Sequence, residues 1–275
     1  MNISLIQMVS SRHLELNLTR AGNLISEAAE SSDFVFLPEN FAALAGDDLL
    51  ISGLGEAGGS GPICTFLADT AQRLNIWIFG GTLPISSRPD GSEVPDGRVR
   101  AASMVYNPAG ELVARYDKIH MFDVSVDDNH GSYRESATFE PGEEVISVDT
   151  PLGNTGLTVC YDLRFPELYR QLFNREVDLI AAPSAFTEVT GAAHFELLMR
   201  ARAVENSCFM VAACQGGAHD SGRRTHGHSM VVDPWGDVVG ELGVGEGVLT
   251  VDIDLQLRQT LRRDMPFHKQ RRLLS

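Results

Sequence analysis

A carboxyl, an amine and a thiol stand just beyond short apolar runs at three distant points of the chain. Glu39 follows Phe34-Val-Phe-Leu-Pro. Lys118 follows the run Glu111 to Ala114, within Ala-Arg-Tyr-Asp-Lys-Ile-His-Met-Phe-Asp. Cys160 closes Gly156-Leu-Thr-Val-Cys before Tyr-Asp-Leu-Arg-Phe-Pro-Glu-Leu. A carboxyl group among Phe and Leu suits a general base that can later act as an acid. A cysteine where a strand exits into a turn and helix can be partly exposed and near N–H donors, which suits a nucleophile; a buried structural thiol fits that segment equally well. Lys118 stands out by composition, because 20 of the 22 basic residues are Arg and only Lys118 and Lys269 are Lys. A compact ammonium that can lose its proton does a job that a guanidinium fork cannot. Each residue alone has a plain reading as a loop carboxylate, a surviving Lys or a packed thiol. Together they supply a base, a cation and a nucleophile from three strand ends.

Other candidates are weaker. His226-Gly-His228 puts two imidazoles on one face of a strand, but no third ligand stands at a recognisable spacing, so no metal is expected. Gly53-Leu-Gly-Glu-Ala-Gly58 matches GxGxxG without the acidic residue a dinucleotide site needs, and reads as a flexible surface loop. Cys64 and Cys208 read as packing residues, and Cys214 ends a strand before Gln-Gly-Gly. The four cysteines show no CxxC spacing and read as reduced thiols of a cytoplasmic protein. Gly222-Arg223-Arg224-Thr225 carries two guanidiniums that either meet a distal carboxylate or are solvated.

The positioning elements follow from periodicity. Apolar runs at Ile3–Met8, Phe34–Leu37, Ile76–Phe79, Ser103–Tyr106, Leu157–Cys160, Leu179–Ala182, Phe209–Ala213, Met230–Val232 and Val248–Val251 read as strands. Between them, Asn17 can cap a helix with Leu18, Ala21, Ile25 and Ala28 on one face. Pro62 and Pro166 can open two more, and His194–Ser207 carries a stripe of Leu198, Ala201 and Val204 leading to Cys208. Met104-Val-Tyr-Asn-Pro-Ala-Gly-Glu-Leu-Val and Met230-Val-Val-Asp-Pro-Trp-Gly-Asp-Val-Val each read as strand, turn and returning strand. Strands alternating with helices, plus two hairpins, predict an α/β fold of two stacked mixed sheets with helices outside, as one domain over residues 1–275. The charge of 22 − 37 = −15 disfavours nucleic acid and anionic lipid as partners. The N-terminal residues have no leader pattern, and no run of about 18 apolar residues occurs.

At these residues the chain resembles the nitrilase superfamily of carbon–nitrogen hydrolases, in its Nit amidase branch. The motifs are Phe-Leu-Pro-Glu-Asn-Phe (36–41), Tyr-Asp-Lys-Ile-His-Met-Phe-Asp-Val (116–124), Cys-Tyr-Asp-Leu-Arg-Phe-Pro-Glu-Leu (160–168), Pro-Ser-Ala-Phe (183–186), Thr190-Gly191, Arg-Ala-Arg-Ala-Val-Glu (200–205) and Gly-His-Ser-Met-Val-Val-Asp-Pro-Trp-Gly (227–236). The resemblance implies an αββα four-layer sandwich and an amidase working through a Cys thioester. Its triad falls on Glu39, Lys118 and Cys160, and a second glutamate, Glu135, orients the lysine. The N–H of Tyr161 would join Lys118 at the developing oxyanion. Arg164 would pair with a substrate carboxylate, or else with Asp162 or Glu167, and Phe186 and Thr190 would complete that pocket. A peptide-like amide with more than one carboxylate suits it, such as glutathione whose γ-glutamyl amine has become a ketone. An ω-amidase, an N-carbamoyl amino acid hydrolase or a nitrilase would use the same triad, and a non-enzymatic interaction module is the alternative of another class. No cofactor is implied, because side chains supply all three catalytic functions, and a homodimer is the assembly the family suggests.

Overall fold

Three residues, Phe34-Val35-Phe36, show how one short strand serves two layers. Successive side chains of a strand point to opposite faces. Phe34 and Phe36 therefore enter an apolar cluster shared with the second sheet, while Val35 faces a cluster with the outer helices. The computed structural model describes residues 1–44, 51, 53–128 and 131–273. A seven-stranded sheet lays Gly247–Asp252, Asn2–Gln7, Phe34–Phe36, Trp77–Phe79, Arg100–Tyr106 and Leu83–Ile85 side by side, with Leu112–Asp117 also paired to Arg100–Tyr106. A six-stranded sheet runs Val238–Glu241, Met230–Val232, Phe209–Ala212, Leu179–Ala181, Gly153–Leu157, Ile146–Thr150. Both are mixed: Asn2–Gln7, Phe34–Phe36 and Trp77–Phe79 are mutually parallel, as are Gly153–Leu157, Leu179–Ala181 and Phe209–Ala212, and hairpin pairings flank them.

The helices Leu14–Ala28 and Pro62–Leu74 cover the first sheet, burying Leu18, Ala21, Ile25 and Ala28 from one and Ile63, Leu67 and Ala71 from the other. Pro166–Asn174 and Glu188–Asn206 cover the second. The result is an αββα sandwich. The two repeated hairpins are present and alike in detail. Asn107 Oδ1 accepts from the N–H groups of Ala109 (2.9 Å) and Glu111 (3.0 Å), and Asp233 Oδ1 from those of Trp235, Gly236 and Asp237. Each hairpin shifts register once beside its turn, at Val105/Tyr106 and at Val231/Val232.

Four local expectations differ from what folds. The first helix begins at Leu14 with His13 before it, and Asn17 lies inside it; the buried amide of Asn17 instead ties Ser11 to the carbonyl of Ala42. On the long helix the buried stripe is Phe195, Met199, Arg202, Ala203 and Asn206, while Val204 is 46% exposed. The reason is Arg202, whose guanidinium donates to the carbonyl of Leu163 at 2.8 and 3.0 Å and so turns a charged face inward. The Gly53–Gly58 segment is anchored, not a free loop: the Glu56 carboxylate is buried and accepts from the N–H groups of Ile63 and Cys64, capping the helix that Pro62 opens. Finally, the strand before the thiol ends at Leu157, and Cys160 opens a 3₁₀ turn, Cys160–Arg164.

Candidate active site

Glu39, Lys118 and Cys160 leave their strands at the same edge of the sandwich. Glu39 follows Phe34–Phe36 and Lys118 follows Leu112–Asp117, both of the first sheet, while Cys160 follows Gly153–Leu157 of the second. Two glycines let these exits lie close to their neighbours. Gly81 has φ +58°, and any Cβ there would collide with the Pro38 carbonyl beside Glu39; a Cβ on Gly142 would strike the carbonyl of Asp117, and the Gly142 N–H donates to Lys118 O at 2.8 Å. Behind Glu39, Gln215 Nε2 donates to its backbone carbonyl at 3.0 Å.

Lys118 Nζ donates to Glu39 Oε1 at 2.8 Å and to both oxygens of Glu135, at 2.7 and 2.9 Å. Glu135 Oε2 also accepts from the N–H of Phe122 at 2.6 Å. The lysine side chain is 1% exposed and Glu39 4%. Burial pulls the ammonium pKa down, but Glu135 and then Glu39 outweigh it, so the pKa is raised and the lysine stays charged. Burial raises the Glu135 carboxyl against the pull of Lys118.

Cys160 is 8% exposed, less open than a strand-end thiol was expected to be. Its φ of +46° is left-handed, a conformation that costs a non-glycine residue about 1–2 kcal/mol. The N–H of Cys160 donates to Pro183 O at 3.0 Å, holding the turn against the neighbouring strand exit. Burial raises the thiol pKa well above its usual value, the nearby Glu39 carboxylate adds to this, and Lys118 opposes it. The resting sulfur is therefore a protonated thiol. Tyr161 comes second in the 3₁₀ turn, where the first N–H groups have no partner inside the helix.

Asp162 ties the lysine and cysteine exits together, a role that sequence reasoning missed. Its fully buried carboxylate accepts from Tyr116 Oη at 2.7 Å, His120 N at 3.1 Å and Val159 N at 2.8 Å, and His120 Nδ1 lies 2.6 Å away. Its position two residues after Cys160 was the only signal, and that did not distinguish it from a surface acid.

A cavity of about 270 Å³ opens over these groups. Glu39, Lys118, Glu135, Cys160, Tyr161, Phe186 and Thr190 all line it. Arg164 does not. Its Nη1 sits 3.3 Å from His194 Nδ1 and its guanidinium lies over the rings of Tyr161 and Phe186. Among the described residues it pairs with neither Asp162 nor Glu167, the alternative partners expected for it: Asp162 is taken by Tyr116, His120 and the backbone. The adjacent arginines separate. Arg223 lines the cavity, whereas Arg224 pairs with Glu188 outside it at 2.7 Å. Asn40 and Phe122 reach the cavity and His120 does not; Arg134 and Tyr133, missed in the sequence, also reach it, and adjacency to Glu135 was their one clue.

The histidines considered for metal serve packing and hydrogen bonding. The rings of His226 and His228 stack at 4.3 Å, and His228 Nδ1 lies 2.6 Å from Glu241. Buried His219 donates from Nδ1 to Ser10 O (2.8 Å) and so accepts at Nε2 from Thr225 Oγ1 (2.7 Å). Burial lowers its pKa from 6.5 to about 4. The unfolded chain thus takes up a proton near pH 6.5 that the fold refuses until about pH 4, and stability is full above that window and lost as pH falls through it. Thermal unfolding between pH 7 and 4 is expected to show a loss on the order of 3 kcal/mol from this residue, and a shallower slope in His219→Gln.

The comparisons with known proteins agree with this geometry. The carbon–nitrogen hydrolase family matches residues 2–263. Deaminated glutathione amidase of Yersinia enterocolitica is 41% identical over 274 residues, covering 100% of this chain and 94% of that protein. Among solved structures, the Caenorhabditis elegans NitFhit protein superposes with a TM-score of 0.87 at 37% identity, over 98% of this chain and 65% of that one. Saccharomyces cerevisiae Nit3, a member of branch 10 of the nitrilase superfamily, gives 0.85 at 32% identity, over 99% and 97%. The match to fold and motif runs nearly end to end, and the chain belongs to the carbon–nitrogen hydrolases of the nitrilase superfamily, as an amidase-type hydrolase of carbon–nitrogen bonds other than peptide bonds.

Proposed function

We propose that this hydrolase cleaves the amide of a small carboxylate-bearing substrate through a thioester on Cys160, and that the substrate is deaminated glutathione, as in the names of its relatives. One observation carries the mechanism: Lys118 Nζ is clamped between Glu39 and Glu135, and Cys160 lines the same cavity as these three groups. Glu39 takes the thiol proton as sulfur attacks the amide carbon. The carbonyl oxygen becomes anionic and meets the Lys118 ammonium and the N–H of Tyr161; one such donor lowers the barrier by about 2.7–4 kcal/mol. Glu39 returns the proton to the departing nitrogen, leaving the thioester. It then deprotonates the water that releases the acid and restores the thiol. Glu135 keeps the lysine charged and aimed, and Phe186 and Thr190 contact the substrate.

Residues 1–275 work as one domain in this reading, supported by pairing of Asn2–Gln7 with Gly247–Asp252 at the other end of the chain. Exposed Leu197, Val204 and Trp235 on one strip support a homodimer. No helix among the described residues is long and apolar enough to cross a membrane. The four unpaired thiols fit a reducing compartment, the cytoplasm, and the net charge of −15 fits a protein that binds neither nucleic acid nor membrane.

The test is a panel of deaminated glutathione, 2-oxoglutaramate, an N-carbamoyl amino acid and a simple nitrile, read by kcat/KM and by intact-protein mass. The first two deliver the same 2-oxoglutaryl group to sulfur, so an adduct of that mass on Cys160 supports the thioester, and kcat/KM decides the substrate. A higher kcat/KM for any other member would overturn deaminated glutathione.

A further inference from the structure

Base and nucleophile leave different sheets, Glu39 the first and Cys160 the second, so their spacing depends on what joins the two sheets at that edge. Main chain does part of this. Met8 N donates to Cys214 O at 3.3 Å, and Gly216 N donates to Met8 O at 2.9 Å. Between those two contacts stands Gln215, whose side chain is fully buried. Its Oε1 accepts from Ser10 N at 3.0 Å, which settles the orientation of the amide. Nε2 then uses both of its hydrogens, one on Ser10 Oγ at 2.8 Å and one on the Glu39 carbonyl at 3.0 Å. Ser10 Oγ passes its own hydrogen to Phe41 O at 2.9 Å.

One amide thus holds the carbonyls on either side of Asn40, directly at Glu39 and through Ser10 at Phe41. That turn needs holding, because Asn40 has a left-handed φ of +55°. From the first-sheet side, Thr82 Oγ1 accepts from Asn40 N at 2.8 Å. The main chain of Gln215 leads towards the thiol. Gln215 N donates to Ser184 O at 2.8 Å, and the adjoining Pro183 carbonyl accepts from Cys160 N at 3.0 Å. Three hydrogen bonds therefore connect Glu39 to Cys160 by way of Gln215 and the Pro183-Ser184 pair. An apolar side chain of similar length would fill the same space, but it would leave the Glu39 carbonyl unheld. A base works only within about 2.6–3.2 Å of the proton it takes, and a displacement of about 1 Å can cost a hundredfold in rate.

We propose that Gln215 is a positioning residue for the reaction: it grips the main chain at Glu39 from the sheet that carries Cys160, and so sets the distance between carboxylate and sulfur. Lys118 and Glu135 fix the same carboxylate only with respect to the ammonium. This rests on the amide-hydrolysing reading with Glu39 as base, and adds the residue that aims it.

The test is a double-mutant cycle of Gln215→Met against Glu39→Gln, with two readouts. One is turnover of the panel amide with the highest kcat/KM; the other, without substrate, is the pH profile of Cys160 alkylation by iodoacetamide. Gln215→Met is expected to lower kcat about a hundredfold with KM changed by no more than a few-fold. In the Glu39→Gln background it should cost no more than about threefold, because the base it aims is already gone. Its alkylation profile should move to lower pH, towards that of Glu39→Gln, since a displaced carboxylate opposes ionisation of the thiol less. Ser10→Ala keeps the bond from Gln215 to Glu39 and should give a smaller loss with the same coupling, which covers a Gln215→Met chain that does not fold. A glutamine with only a structural role would lower the thermal midpoint and leave kcat per folded molecule within a few-fold of wild type, or give a loss undiminished in the Glu39→Gln background. Either result would overturn the proposal. If the wild type hydrolyses no amide while the alkylation profiles still couple, the amide reading fails and the positioning of Glu39 by Gln215 stands.

Discussion

Cys160→Ala is expected to lower kcat by about 10⁴-fold or more, with no acyl adduct on the protein and an unchanged thermal midpoint within a few degrees. In the proposed mechanism the sulfur carries the acyl group, while Glu39 moves protons and Lys118 and the Tyr161 N–H stabilise charge. Removing it leaves oxyanion stabilisation and binding, which give a small residual rate. The fold should survive because Ala replaces one atom of a small buried side chain, and because the left-handed backbone at this position is held by Cys160 N donating to Pro183 O, which Ala retains. Near-normal hydrolysis by purified Cys160→Ala would sink the nucleophile assignment.

Glu39→Gln is expected to cost about 10³–10⁴ in kcat, since one carboxyl group serves both half-reactions and an amide accepts no proton. Gln keeps an oxygen for Lys118 Nζ, so the clamp with Glu135 persists. The thiol responds in the opposite sense. In the wild type burial and the Glu39 charge raise its pKa while Lys118 lowers it. Removing the negative charge leaves Lys118 less opposed, so the pKa falls and the thiolate is more populated at a given pH. Turnover should therefore drop while alkylation of Cys160 by iodoacetamide proceeds at least as fast as in the wild type. A variant slow in both reactions would point to a misplaced cysteine and not to a missing base.

The contrast between these two variants reflects how the site is built. A buried thiol with a raised pKa is a poor nucleophile until its proton has somewhere to go, and in the proposed mechanism Glu39 is the acceptor. The buried Asp162, holding Tyr116, His120 and Val159 at once, keeps the lysine and cysteine exits at a fixed spacing while that proton moves. Among the described residues that line the cavity, Lys118 is clamped by two carboxylates, while Arg134 and Arg223 hydrogen-bond to main-chain carbonyls.

Much of this was legible from residues in a row. Strands betray themselves as short apolar runs rich in β-branched and aromatic residues, as in Phe34-Val-Phe-Leu, and hairpins by Asn107-Pro-x-Gly and Asp233-Pro-x-Gly, because these preferences act within a few residues. Glu39, Lys118 and Cys160 were recognisable as chemistry at element ends for the same reason. What the tertiary structure alone decided was direction. Arg223 and Arg224 are neighbours of one type, yet one faces the cavity and the other Glu188, since adjacent side chains at a strand start diverge. Arg164 sits four residues from the thiol but is drawn off by His194 from another helix. The inward face of Glu188–Asn206 was set by Arg202 reaching the Leu163 carbonyl, a contact across 39 positions. Local propensity specifies which element forms. Which way a polar side chain turns depends on a partner that only folding brings near.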